Sequence, residues 1–234
     1  MLTQNLRNLY LSHLDELRNF SISLDDNDDC DGPFLMNEPS LEFKQSKHKL
    51  LIVGQETNGW LGGFSGDSEA DLDHNRHVYE QFNFGENYRN LFFPYARTIA
   101  TRLTGHNVWM WSNLFKFGKA SGRGYPSDKI NELELNYFNV FREEIRILNP
   151  TCVVFMTGPN YDSTLQQRIP DASFAPLENF SLRQLAKVAS TLLPKTSYRI
   201  YHPGYGNRHT EIYQLTLAAI EADYPRFAGA STQS

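Results

Sequence analysis

The sequence predicts an α/β protein, a three-layer α/β/α sandwich around a central four-stranded parallel sheet. Three observations lead there. Short apolar runs alternate with longer segments of helical spacing, in the order α-β-α-β-α-β-α-β-α. The first run is dry over 50–53 and the third is apolar up to its final Thr157, as strands covered on both faces are. The chain has 234 residues and is 40% apolar, which suits one domain with a sizeable core. One domain is therefore expected over 1–234: an N-terminal helix and loop over 1–48, a core over 49–225, and a frayed tail over 226–234 that ends in small polar residues.

Each element has its own signal. Leu2, Leu6, Leu9, Tyr10, His13, Leu14 and Leu17 keep near-helical spacing, so 3–20 reads as an amphipathic helix. The polar run SLDDNDDCDGPF follows as a loop. Residues 49–54 form the first strand, and 59–83 a polar, glycine-bearing excursion. A helix over 87–103 stops near Gly105, as a helix does at a C-terminal glycine. The second strand spans 108–115. The basic, glycine-rich loop KFGKASGRGYPSD then leads to an N-cap at Ser127 or Asp128. A long helix over 130–148 ends at Asn149-Pro150, and 152–157 is the third strand. A helix over 182–192 ends before Pro194, 197–201 is the fourth strand, and 210–222 is the last helix.

Composition excludes several classes. The net charge of −5 gives no global attraction to nucleic acid, so any such contact has to come from a local basic patch. No apolar run approaches the ~18 residues of a membrane span. The first twenty residues lack a basic n-region, a long apolar stretch and a small-residue cleavage site, which points to the cytoplasm. Two cysteines, Cys30 and Cys152, make neither a disulfide framework nor the four thiolates of an iron–sulfur cluster, and Cys152 reads as core. Asn27 to Gly32 with Glu38 nearly spells a calcium loop, but position one is Asn, and Pro33 and Pro39 spoil the exiting helix. There is no dinucleotide fingerprint, no Walker loop and no nucleophile elbow, so neither metal nor cofactor is expected.

In a parallel α/β sheet the ligand sits beyond the carboxyl ends of the strands. Four polar clusters follow the predicted strands: Gln55-Glu56-Thr57-Asn58, Asn113 with Lys116, Thr157-Gly158-Pro159-Asn160, and His202-Pro203-Gly204. Together they hold a carboxylate, an imidazole and amides, groups able to read or activate a heterocycle.

These residues, in this order, resemble the uracil-DNA glycosylase superfamily. Its first motif is a strand followed by Gly-Gln-Asp-Pro-Tyr, or Gly-Met-Asn-Pro-Gly in other branches; here it reads Gly54-Gln55-Glu56-Thr57-Asn58. Its middle strand ends in Asn, often with Lys three residues on, as Asn113 and Lys116 do. A helix, a Pro, an apolar strand and a Gly follow, matched by EEIRILNPTCVVFMTG. The last motif, His-Pro-Ser-Tyr-x-x-Arg in some branches, is matched by His202-Pro203-Gly204-Tyr205-Gly206-Asn207-Arg208. The similarity covers 49–222. Glu56, Thr57 and Gly204 depart from the family's Asp or Asn, Pro and Ser.

The resemblance implies a monofunctional DNA glycosylase, with DNA as partner and a monomeric protein. Glu56 stands where the family keeps a catalytic Asp, to stabilise oxocarbenium character and direct a water; Glu56 or Asn58 places that water. His202 would donate to the departing base. Gln55 and Asn113 would read it, and Phe84, with Phe64 and Trp60 as rivals, would stack on it. Asn58 replaces a Tyr that blocks C5 of the pyrimidine in the uracil-specific branch, so a C5-modified cytosine or uracil is the expected substrate, in phage defence or repair. Lys116, Lys119 and Arg123, joined by Arg208, would grip phosphates, and Tyr205 or Arg208 would fill the gap of the flipped base. Each residue also has a plain structural reading: a capped β–α loop at 55–58, a backbone-bonded His202, a loop-satisfying Asn113, a core Phe84, a solvated basic loop. A base-binding protein without activity and a nucleoside or nucleotide N-glycosidase are the alternatives.

Overall fold

The four expected strands form and pair as expected. In the computed structural model, which describes residues 5–60, 68–86, 90–177, 179–204 and 210–224, they are β1 (Leu50–Gly54), β2 (Trp109–Asn113), β3 (Cys152–Phe155) and β6 (Ser197–Ile200). They pair in parallel in the order β2-β1-β3-β6. All of their residues are buried, so both faces of this part of the sheet are covered, which is why β1 and β3 are apolar throughout; β2 and β6 bury Ser112, Asn113, Ser197 and Arg199 as well.

The sheet does not stop at four. β4 (Ser173–Pro176) and β5 (Leu185–Ala189) continue it beyond β6, both pairs antiparallel, so the sheet is mixed and six-stranded. The helix expected over 182–192 is thus corrected: Leu185, Ala186 and Val188 are buried in a strand instead. Pairing against β6 gives that segment a ladder its local spacing does not announce. β4 is the outer edge, largely exposed and closed by Pro176, a residue that blunts further pairing.

The helices are α1 (Leu6–Ser12), α2 (Leu14–Ile22), α3 (Leu41–Gln45), α4 (Glu69–Phe82), α5 (Phe92–Thr104), α6 (Asp128–Tyr137), α7 (Phe141–Leu148), α8 (Asp162–Arg168) and α9 (Thr210–Asp223). Two long helices expected from sequence are each a broken pair. The first breaks at His13, the second across 138–140. α4 fills part of the 59–83 excursion. Its N-cap Ser68 accepts the Asp71 amide N–H, and its inward stripe is Leu72, Asn75, Arg76 and Tyr79. Half of that stripe is polar, which hides the helix from a hydrophobic pattern. α5 ends at Gly105 in a left-handed turn (φ 77°), as expected, and packs on β1 and α9. α1 packs against α2, α4 and α7, and α2 against α6.

Candidate active site

One pocket of about 810 Å³ opens at the carboxyl ends of β1 and β2 and the residues that follow β6. Gln55, Glu56, Asn58, Asn113, Arg123 and His202 all line it. Register explains the meeting: Gly54 pairs with Asn113, and the ladder runs on as Leu114 and Phe115 donate N–H to the carbonyls of Gly54 and Gln55, each at 3.0 Å. Gly54 is required there. A Cβ on it would lie 2.4 Å from Asn113 Oδ1 and 3.3 Å from the Phe92 ring, so only glycine lets both close over the strand end.

Asn113 is 1% exposed. The Trp111 indole donates to its Oδ1 at 3.0 Å. An indole N–H can only donate, so the amide is locked with oxygen toward Trp111. Its Nδ2 is buried without a partner among the described residues. A buried donor without an acceptor is costly, and Asn113 is also one of the residues that line the pocket.

Glu56 is half-buried. The Tyr161 hydroxyl donates to its Oε2 at 2.5 Å. Burial raises the carboxyl above its ordinary pKa, while the Tyr161 hydroxyl, the Gly124 backbone N–H and the Lys119 charge pull it down. Tyr161 comes from the 3-10 turn Pro159–Tyr161 after β3, so the third strand contributes an aromatic hydroxyl and not the polar residues before it. Gln55 also leans on that strand: its side-chain amide donates to the Thr157 carbonyl at 2.6 Å. Asn58 is exposed at the rim and forms an isolated bridge with Lys119. Beneath it the basic loop presses close. A Cβ on Gly118 would lie 2.6 Å from the Thr57 carbonyl.

His202 accepts the Gly204 backbone N–H at Nδ1, 3.0 Å, so the neutral ring carries its proton on Nε2. Burial, and then the nearby Arg123 charge, push its pKa down to about 4, which keeps the ring neutral at pH 7. Phe92 lies against it with ring centroids 5.7 Å apart. The glycine at 204 has a local reason too, because a Cβ there would lie 3.0 Å from His202 Nδ1.

Two predicted site residues go elsewhere. Lys116 is corrected outright: it is 1% exposed and its Nζ bonds Glu144 at 2.6 Å and Ser112 at 2.9 Å, so it reaches no phosphate. Burial lowers its pKa, against the pull of Glu144. Phe84 lies outside the pocket lining, in the 3-10 turn Asn83–Gly85, and packs on Trp109 at 4.6 Å. Phe92 supplies the aromatic face at the pocket. Trp60 lines the pocket as well. Arg123 is exposed at the rim and Lys119 half-buried in the same loop. Phe64, Tyr205 and Arg208 lie outside the described residues. Sequence reasoning missed Tyr161 and Phe92. Phe92 had one signal, an aromatic pair at the start of a helix; Tyr161 had only its place just after Gly158.

Among the described residues, no three His, Cys, Asp or Glu side chains are grouped to hold a metal ion, and no helix is long and apolar enough to cross a membrane. No model of a known protein family matches the sequence, and neither does any curated protein.

Proposed function

We propose that the protein is a monofunctional DNA glycosylase with a three-layer fold of the uracil-DNA glycosylase type. It flips a modified or damaged pyrimidine into the pocket and hydrolyses its N-glycosidic bond, leaving an abasic site. The observation that carries this reading is the convergence on one pocket of a carboxylate, a neutral imidazole with its proton on Nε2, and an amide donor without an acceptor.

Each group has a task. A flipped base costs a few kcal/mol of stacking and pairing, and the Phe92 face offsets part of it. Bond cleavage leaves positive charge on the sugar and negative charge on the base. Glu56, held by Tyr161, stabilises the first and directs a water to the anomeric carbon. His202 Nε2–H donates to the oxyanion forming on the base, a role a neutral imidazole fills. Asn113 offers donors from Nδ2, so it favours a ring carbonyl, as in uracil and its derivatives, over the amino group of cytosine. Arg123 and Lys119 meet phosphates at the rim. DNA is the partner, the protein acts as a monomer in the cytoplasm, and the biological setting is repair or defence against phage DNA.

The test is strand cleavage by alkali after incubation with oligonucleotides carrying uracil, 5-substituted uracils or 5-modified cytosines. Breaks are expected with the wild type. Loss of the donor in His202→Ala lowers the rate by about 10²–10³-fold, and Glu56→Gln removes it further. Tight binding without breaks points to a base-recognition protein instead. Release from free nucleosides alone points to an N-glycosidase of small substrates.

A further inference from the structure

The pocket is far larger than the groups that read a base require. At about 810 Å³ it has the volume that takes a drug-sized ligand, and a six-membered ring fills a minor part of it. Trp60, Val78, Phe82, Phe93 and Trp111 form an apolar part of its lining. The rings pack on one another, Phe82 to Phe93 at 5.2 Å, Phe82 to Trp111 at 5.5 Å and Trp60 to Phe82 at 5.6 Å, which makes a preformed wall. Val78 and Phe82 stand four residues apart on α4 and share one face of it. None of the five is charged. The charged pocket residues, Glu56 and Arg123, belong to the strand-end loops.

This annex starts directly beside the base-reading amide. Trp111 is two residues before Asn113 on β2, on the same face of the strand, and its indole holds the amide. A pyrimidine whose O4 meets Asn113 Nδ2 has C5 as the next ring atom. The Trp60 indole N–H adds a second buried donor without a partner among the described residues.

We infer that the base taken by this site carries a bulky, uncharged, apolar-faced substituent at C5, which the annex formed by α4, Trp60 and Trp111 receives. The inference rests on the glycosylase reading and names its substrate class. Charged substituents are excluded, because the annex offers no counter-charge and would strip their water. Small ones gain little, because they leave the aromatic wall uncovered.

Three oligonucleotides test it, each with one 2′-deoxyuridine, 5-phenylethynyl-2′-deoxyuridine or 5-carboxy-2′-deoxyuridine, with released base measured by mass spectrometry. The phenylethynyl base is expected to leave at least about tenfold faster than uracil, and the carboxy base slower than either; filling or emptying an apolar pocket is worth that much. Val78→Trp fills the annex and should cut the phenylethynyl-to-uracil ratio by about tenfold, whereas Val78→Ala should leave the phenylethynyl base preferred. Because the readout is a ratio, loss of active protein does not mimic the effect. A wild-type ratio of one or less, a carboxy base released as fast as the phenylethynyl one, or a ratio untouched by Val78→Trp overturns the inference. If no base is released at all, the glycosylase reading fails, and fluorescence anisotropy on the same strands decides the annex separately. Preferential binding of the phenylethynyl strand, lost in Val78→Trp, supports it; equal binding of all three overturns it.

Discussion

Tyr161 is the handle on Glu56. Its hydroxyl donates at 2.5 Å and opposes burial, which on its own would lift the carboxyl further. Tyr161→Phe keeps the ring and removes that donor, so the Glu56 pKa rises. On the proposed reading Glu56 works as a carboxylate, which is lost as pH falls through its pKa, so the acid limb of the rate profile should move to higher pH. Tyr161 is a positioning residue, and a purely packing role would lower the plateau without moving the limb; a pH profile of base release separates the two. His202 has the opposite linkage. Its folded pKa of about 4 lies below the unfolded value, so the unfolded chain takes the proton first. Stability present above about pH 6.5 is therefore lost as pH falls toward 4. His202→Gln should remove roughly 1–2 kcal/mol of the loss between pH 7 and pH 5, read from urea midpoints at the two pH values. At this scale the sequence was legible where a polar residue ends a strand or closely follows one, as Asn113, Glu56 and His202 do. Phe92 and Tyr161 were not, because 16 phenylalanines and 12 tyrosines look alike until the chain path selects two of them.

The end of β2 is fixed by a buried ionic network behind it. Lys116 pairs with Glu144 on α7, whose other oxygen accepts from the Tyr10 hydroxyl at 2.8 Å. Glu134 on α6 accepts the backbone N–H groups of Lys116 and Phe117 and pairs with Arg168 on α8 at 2.9 Å. The end of β2 is thus tied to three helices at once, and Asn113 sits three residues from the knot. Lys116→Met leaves Glu144 buried and unpaired, and should cost about 3–5 kcal/mol in urea unfolding. Lys116→Met with Glu144→Gln should recover most of it, since the second change removes the stranded charge. A small loss in the single variant would mean that water reaches Glu144. The network also shows why sequence misassigned Lys116. A lysine in a basic loop reads as a phosphate contact, and only partners 18 and 28 residues later turn it inward. Of the four parallel strands, β1 and β3 were legible because burial on both faces makes them apolar from end to end, while β2 and β6 carry buried polar residues, Ser112, Asn113, Ser197 and Arg199. β5 was not, because LRQLAKVASTL also fits helical spacing, and what decides is the free edge of β6.

Over the whole molecule the charge is −5, so long-range attraction to DNA is weak, and on the proposed reading phosphate contact would fall to few side chains. The loop after β2 concentrates them. Lys119 and Arg123 lie four residues apart, at the rim that Asn58 and Gly124 also form, and both charges act on the site itself: Lys119 on Glu56, Arg123 on His202. On the proposed reading, grip and chemistry share one segment. Dissociation constants measured on a duplex across a salt series should show a shallow log–log slope. Lys119→Ala and Arg123→Ala should each flatten it by about 0.9, the contribution of one neutralised phosphate on B-DNA. Lys116→Met should weaken folding and leave the slope alone, because a buried ammonium releases no counterion. Each variant also carries a second signature, on Glu56 for Lys119→Ala and on His202 for Arg123→Ala. Without the Arg123 charge the His202 pKa rises, so the ring protonates at higher pH and the neutral donor is lost earlier on the acid side. A slope unchanged by both alanine variants would move the phosphate grip off this loop. A changed slope with an unmoved His202 limb in Arg123→Ala would keep the grip and remove the coupling to chemistry.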